Sequence, residues 1–388
     1  MKFVSNNKNT KKYLDSVFSV VRAAKADSEA INATAGCLFT EDAKLLTFDV
    51  VNKCEDKLLP AQKSAYASAV EGNKDYDEAI CKFVLDDNVT NNHITIASAG
   101  GTGAIYLSMA MCLEDNDTII IPEISWGNYR VMADEFNLNY LTYDVYNLDD
   151  LFNKIDEVNG KVFLIVNSPC QNPLGHAYTF NQWQEIINKL NSLNQEVVLV
   201  CDIAYIDYAN DNPKQFMKLF NDISDDVLVL ICASTSKAFS YYGQRLGALI
   251  AINNDKEFLD QFLNLSTRLA RSTWSNLNNS GMIVIADVLN NHADEYFKEL
   301  EASKLMLSKR VELFKKQASE CDLELYDSKD GFFVTIKTSD NEIRDEIHQR
   351  LIDKHIYTIK VNKGIRVGLC STPLNIVDGL AKKIKELM

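Results

Sequence analysis

Val197-Val198-Leu199-Val200-Cys201-Asp202 is an unbroken apolar run that ends in an acid. It is too short for an ordinary helix, and no polar residue alternates through it. That pattern predicts a strand buried on both faces. Strand-length runs also occupy His93–Ala97, Thr118–Pro122, Lys161–Val166, Val227–Ala233 and Leu246–Ile252. Helix-length segments separate most of them, such as Gly103–Leu113, Tyr129–Phe136 and Phe180–Leu193. Strands alternating with helices predict an α/β sheet that is largely parallel.

The pattern changes toward the C-terminus. A long helical stretch runs from about Asn291 to Ser319, followed by shorter strand and helix signals at Gly331–Thr338, Glu342–Lys354, Gly364–Cys370 and Leu374–Leu387. These predict a second, smaller α+β domain. At the other end, residues 1–12 read as a loose polar arm. Tyr13, Leu14, Val17, Phe18 and Val21 then share one face of a helix over residues 12–26.

At 388 residues the chain suggests roughly two domains. Apolar residues make up 46% and charged residues 24%, the balance of a soluble enzyme. Forty Lys and Arg against 54 Asp and Glu give a net charge of −14. That argues against nucleic acid or an anionic membrane as the main partner, while leaving room for a local basic pocket. The nine cysteines are scattered with no C-x-x-C pair, and the five histidines show no H-x-x-x-H spacing, so no metal is expected. Reduced cysteines, no secretory leader pattern and no apolar stretch near the roughly 20 residues of a membrane span together predict a cytoplasmic address.

Open α/β sheets bind ligands beyond the carboxyl ends of their strands. Here those ends carry polar or glycine-rich clusters. Gly100-Gly101-Thr102-Gly103 lacks the G-K-[ST] of a P-loop, and Tyr106 stands where a dinucleotide fingerprint needs glycine. A simple phosphate cup at a helix N-terminus remains, or a helix start that merely tolerates glycine. Ser234-Thr235-Ser236-Lys237, with Arg245 beyond it, suits a phosphate monoester beside an amine nucleophile, or is a solvated surface loop. Asp202, with Tyr205 after it, could pair with a protonated ring nitrogen or cap a helix. Asn172-Pro173-Leu174-Gly175 is a turn whose Asn could donate to a ligand, or a turn alone.

Together, Asn172-Pro173-Leu174-Gly175, Asp202-Ile203-Ala204-Tyr205, Ser234-Thr235-Ser236-Lys237 with Arg245, and Gly364-Ile365-Arg366 resemble the fold-type I PLP-dependent aminotransferases of class I. Gly101-Thr102-Gly103-Ala104-Ile105, Ser125-Trp126-Gly127-Asn128-Tyr129 and Arg271-Ser272-Thr273-Trp274-Ser275-Asn276, with Gly281, look like the aspartate/aromatic aminotransferase subgroup. The resemblance extends from about Ala35 to Pro373.

It implies a mostly parallel, mixed seven-stranded sheet with helices on both faces, plus a smaller α+β domain. Residues 46–295 would form the large PLP-binding domain, and residues 13–45 with 296–388 the small one. Lys237 would carry pyridoxal 5′-phosphate and shuttle the proton. Asp202 would hold the pyridine nitrogen protonated, Asn172 and Tyr205 would bond the ring 3′ oxygen, and Trp126 would stack on the ring. Gly101, Thr102, Ser234, Ser236 and Arg245 would bind the phosphate. Arg366 would grip the substrate α-carboxylate, with Gly36 nearby and with Trp126 and Asn172 also facing substrate. Arg271 would reach a side-chain carboxylate from the partner subunit of a homodimer with shared sites, and Tyr66 the partner's phosphate. The implied reaction moves an amino group between an L-amino acid, aspartate or glutamate foremost, and a 2-oxo acid such as 2-oxoglutarate. An aromatic aminotransferase or a PLP-dependent β-lyase is the alternative.

Several positions depart from the subgroup. Tyr129 replaces a histidine that supports the pyridine-binding aspartate. Ile124 replaces a proline, so a cis peptide is expected to be lost there. Leu277 and Asn278 replace a Pro-Pro pair, Trp274 a tyrosine and Gly100 a serine. A remote reading from another class is a serine acyl-enzyme, from Ser234-x-x-Lys237 and Ser339-Asp340-Asn341. It fails on order and spacing, because Ser339 stands where K-T-G needs glycine.

Overall fold

The computed structural model describes the chain from residue 16 to 388. The arm expected over residues 1–12 and the first turn of the following helix lie outside the described residues. That helix is present over Ser16–Ala26.

Among the described residues twelve strands follow: β1 (Ile31–Asn32), β2 (His93–Ser98), β3 (Thr118–Pro122), β4 (Asn139–Tyr143), β5 (Val162–Asn167), β6 (Val197–Asp202), β7 (Val227–Ser234), β8 (Gly247–Ile252), β9 (Phe333–Lys337), β10 (Ile356–Tyr357), β11 (Ile359–Val361) and β12 (Gly364–Gly368). Seven of them form one sheet in the order β2-β8-β7-β6-β5-β3-β4. Only β8 opposes its neighbours; every other pairing is parallel. The mixed, mostly parallel sheet is the expected one.

The apolar run of β6 shows why. Val197, Leu199 and Cys201 enter a core that includes Trp183, Ile186 and Leu190 of the helix Phe180–Asn191. Val198 and Val200 enter a second core with Ile105 and Leu107 of the helix Gly100–Cys112 and Phe262 of the helix Lys256–Thr273. Alternate residues of one strand thus feed both helical layers, and every position must be apolar. Helix Phe180–Asn191 starts where the sequence says: Thr179 Oγ1 accepts from the Gln182 N–H at 3.3 Å, and Gln182 Oε1 accepts from the Thr179 N–H at 2.9 Å.

β4 was absent from the expected strands. It is an edge strand with two exposed residues at its start, so its sequence carries no apolar run. The single helix expected over Leu374–Leu387 is two, Leu374–Val377 and Leu380–Lys385. Gly379 separates them at a φ of +83°.

A second region joins the two ends of the described chain. β1 pairs with β10, and β9, β11 and β12 form an antiparallel sheet. The 28-residue helix Ala293–Glu320 packs Phe314 and Ala318 into its core. Arg310 of that helix is fully buried; its guanidinium donates to Glu41 at 2.8 and 3.0 Å and to the carbonyls of Phe39 and Cys370.

Candidate active site

The site stands at the carboxyl ends of β5, β6 and β7, where register places Asn167 beside Asp202. Asn167 Nδ2 donates to the Asp202 carbonyl at 2.8 Å, and its Oδ1 accepts the Asn172 N–H at 2.9 Å. It therefore ties two strands to the turn that follows. Ser168–Pro169 and Asn172–Pro173 in this turn are both cis. These are the cis bonds among the described residues, so none remains at Ile124, in line with the replaced proline.

Asp202 is buried. Its Oδ2 accepts the Tyr129 phenol at 2.5 Å and its Oδ1 the Ala204 N–H at 3.1 Å. Burial pushes its carboxyl up, while Tyr129, the Ala204 N–H and the Lys237 charge oppose that shift. Burial and the facing Asp202 push the Tyr129 phenol well up, so Tyr129 is a fixed neutral donor. The tyrosine in the histidine's place thus does contact the aspartate. Trp126 meets the Tyr129 ring edge-on, with centroids 5.5 Å apart.

Lys237 lies in the one-turn helix Thr235–Ala238 that leaves β7. Its Nζ is 5.5 Å from the centre of the Tyr205 ring and 4.8 Å from that of Tyr242. Burial lowers its pKa, Arg245 and Arg366 lower it further, and Cys37 and Cys370 oppose them. A lowered amine is the state a lysine nucleophile needs.

On one side of Lys237 lies an anion cradle. Gly100, Gly101 and Thr102 open the helix Gly100–Cys112. Arg245 closes over them: a Cβ on Gly100, whose φ is +69°, would stand 2.9 Å from Arg245 Nη2. Arg245 Nη1 donates to Ser236 Oγ at 3.4 Å and to the Tyr242 carbonyl at 3.1 Å. Ser234 Oγ accepts the Ser236 N–H at 3.3 Å, and a Cβ on Gly101 would lie 3.5 Å from Ser234 Cβ. A helix N-terminus, two hydroxyls and a guanidinium so arranged suit a phosphate.

On another side is Arg366, on β12. It is buried, donates to the Thr34 carbonyl at 2.8 Å and to Asn172 Oδ1 at 3.1 Å, and lies 4.2 Å from the centre of the Phe333 ring. Its Nε is buried without a partner, an orphaned donor of the kind a carboxylate satisfies. A Cβ on Gly36 would lie 3.6 Å from Phe333 Cζ and 3.9 Å from the Tyr205 hydroxyl, which puts Gly36 at the same place.

Two expected residues do not join this group. Tyr66 is 86% exposed, on a loop held by Asn276 Oδ1, which accepts the Ala67 N–H. Arg271 is exposed at the end of its helix and donates to Ser275 Oγ at 2.7 Å. Asn278, one of the Pro-Pro replacements, caps the helix Asn279–Asn291. Asp340 of the Ser339-Asp340-Asn341 triplet caps the helix Asn341–Ile352, so that triplet is accounted for by its fold. Conversely, Asn167, Thr34, Phe333 and Tyr242 were not foreseen at the site. Only Asn167 carried a signal, as a polar residue ending an apolar run.

Residues 31–384 match the family described as "Aminotransferase class I and II". The chain is 24% identical over 294 residues to an aspartate aminotransferase of Pseudomonas aeruginosa, covering 71% of this chain and 73% of that one. It is 25% identical over 326 residues to the aromatic-amino-acid aminotransferase of Escherichia coli, covering 79% and 81%. Among solved structures it resembles an aminotransferase from Anaerococcus prevotii, with a TM-score of 0.93 and 26% identity over 100% of this chain and 99% of that one. It shares the fold of an aromatic-amino-acid aminotransferase of Burkholderia pseudomallei covalently bound to pyridoxal phosphate. The TM-score there is 0.83 at 22% identity, over 99% and 100% of the two chains.

Proposed function

This chain belongs to the class I and II aminotransferases, and on that premise we propose that it moves an amino group between an L-amino acid, aspartate or glutamate foremost, and a 2-oxo acid such as 2-oxoglutarate. One observation carries the reading: the part-buried Lys237 stands between a phosphate-shaped cradle and a buried arginine with an unpartnered Nε.

Bound pyridoxal phosphate supplies an electron sink for charge developing at the substrate α-carbon. The chain's residues do the rest. Lys237 Nζ would hold the cofactor, and its lowered basicity suits it to take and return the proton at the substrate α-carbon. Asp202, whose anionic form Tyr129 and the Ala204 N–H favour against burial, would keep the ring nitrogen protonated. Asn172 Oδ1 is engaged by Arg366, so its amide Nδ2 is left to donate, with Tyr205, to the 3′ oxygen. Gly101, Thr102, Ser234, Ser236 and Arg245 would anchor the phosphate, and Trp126 would stack on the ring. Arg366 orients the α-carboxylate beside Gly36, and its burial strengthens that grip.

Tyr66 and Arg271 are exposed, which suits a homodimer in which each completes the partner's site. In the same proposal residues 46–295 form the large domain, and 13–45 with 296–388 the small one. Among the described residues no helix is long and apolar enough to cross a membrane. All nine cysteines are free, which supports a reducing, cytoplasmic setting.

The aromatic alternative rests on the similarity to the Escherichia coli enzyme. A half-reaction screen decides between them. The holoenzyme is mixed with single amino acids and its conversion to the pyridoxamine form is followed by absorbance. Faster conversion by aspartate and glutamate than by phenylalanine and tyrosine supports the proposal; the reverse order supports the aromatic reading.

A further inference from the structure

A cleft of about 530 Å³, not lined by Lys237, lies between the helices Asp49–Asp56 and Asn279–Asn291. Cys54 and Asp287 line it, and His292 stands at the junction where Asn279–Asn291 ends and Ala293–Glu320 begins. One ligand atom from each of Cys54, Asp287 and His292 lies within 4.8 Å of the other two. The three reactive side chains come from two segments more than 200 residues apart, so no motif spacing announces them.

We propose that Cys54, Asp287 and His292 form a binding site for a zinc-class divalent cation. The donor set of one thiol, one imidazole and one carboxylate is the mixture such an ion takes, and three protein ligands leave a fourth position open. His292 Nε2 is 4.0 Å from Asp287 Oδ2. Ligands around a tetrahedral zinc sit roughly 3.3–3.6 Å apart, so the His292–Asp287 gap needs to close by less than an ångström, and no gap in the trio exceeds 4.8 Å.

The surroundings match a metal site in two further respects. His292 Nδ1 faces Glu295 Oε1 at 3.8 Å, which gives the imidazole a carboxylate behind the metal-facing nitrogen. Asn291 Nδ2 donates to Asp287 Oδ1 at 2.7 Å, holding that carboxylate while its other oxygen stays turned to His292. The cleft beside Cys54 and Asp287 would give an entry path and room for a water at the fourth position. Lys57 also lines the cleft, and its charge opposes the cation. Binding would release the Cys54 thiol proton to solvent and leave a thiolate–metal bond, with no oxidation step. The bound ion would pin the helix Asp49–Asp56 to the junction at His292.

The test uses the pyridoxal-loaded protein, stripped of metal and dialysed against zinc, with zinc per chain measured by elemental analysis. Cadmium difference spectra report a thiolate bond in the far ultraviolet, clear of pyridoxal absorption. The site predicts one tightly held zinc per chain, a thiolate–cadmium band, and loss of both in C54S and H292N, with C321S unchanged. E295Q, at an exposed position, should fold normally and bind zinc about tenfold to a hundredfold more weakly. It keeps the proposal testable if the two ligand variants fail to fold. No stoichiometric zinc, a cadmium complex without a thiolate band, or zinc held equally well by E295Q, or by C54S and H292N where these fold, would overturn it.

Discussion

The Tyr129 phenol and the Asp202 carboxylate meet at 2.5 Å, buried between the helix Asn128–Glu135 and the end of β6. Burial alone would push Asp202 toward its neutral form, and Tyr129 is the neighbour that most opposes this. The pair therefore sets how strongly Asp202 can hold a ring proton.

Tyr129→Phe removes that donor and keeps the ring against Trp126. A hydrogen bond to a charged group is worth about 1.5–3 kcal/mol, so kcat should fall by roughly tenfold to a hundredfold while the cofactor stays bound. The carboxylate is needed as an anion, and activity is lost as pH falls through the Asp202 pKa. Without Tyr129 that pKa rises further, and the acid limb of the kcat profile moves to higher pH. An unmoved limb would show that Tyr129 does not tune Asp202.

Arg366 and Arg271 should separate two functions. Arg366→Ala removes the buried grip on a group every amino acid shares. Losses on the order of a hundredfold or more in kcat/KM are expected for all substrates, from the strength of charged hydrogen bonds. Arg271→Ala should weaken aspartate and glutamate and leave phenylalanine nearly unchanged. Equal losses for aspartate and phenylalanine on changing Arg271 would remove the dicarboxylate assignment.

His176 provides a stability test away from the chemistry. It follows the cis-proline turn, buried edge-on to Tyr146 and Tyr178, with its Nδ1 unpartnered. Burial lowers its pKa to about 4, against the opposing pull of Asp327 and Asp144. Between that value and the ordinary value near 6.5 the unfolded chain binds the proton and the folded chain does not. Stability from this group is therefore complete above about pH 6.5 and is lost as pH falls toward 4, a change of about 3 kcal/mol. His176→Phe keeps a ring and removes the titration, so its urea midpoint should fall less than wild type between pH 6.5 and 4.5. Parallel pH curves would contradict the buried neutral imidazole.

Much of the fold was legible because β5 to β8 are buried on both faces and must be apolar throughout. Their observed ends fall within one residue of the expected ones. β4 escaped because an edge strand needs no such run, and the last helix was read too long because a single glycine divides it. The site was legible where chemistry sits at a strand end, as with Asp202 and Lys237. It was not legible where the contact is made by folding alone. Thr34 reaches Arg366 across 332 positions of sequence through its carbonyl, which any residue type would provide. Phe333 looked like one more apolar residue of a strand until Arg366 was found over its ring.

The central claim is that Lys237 is the residue that carries the cofactor. The most direct measurement is reduction of the pyridoxal-loaded protein with borohydride, followed by digestion and peptide mass analysis. We expect one pyridoxyl group per chain, on Lys237, and none in Lys237→Ala treated in the same way. A pyridoxyl group on another lysine, or no covalent label in a protein that has bound the cofactor, would contradict the account.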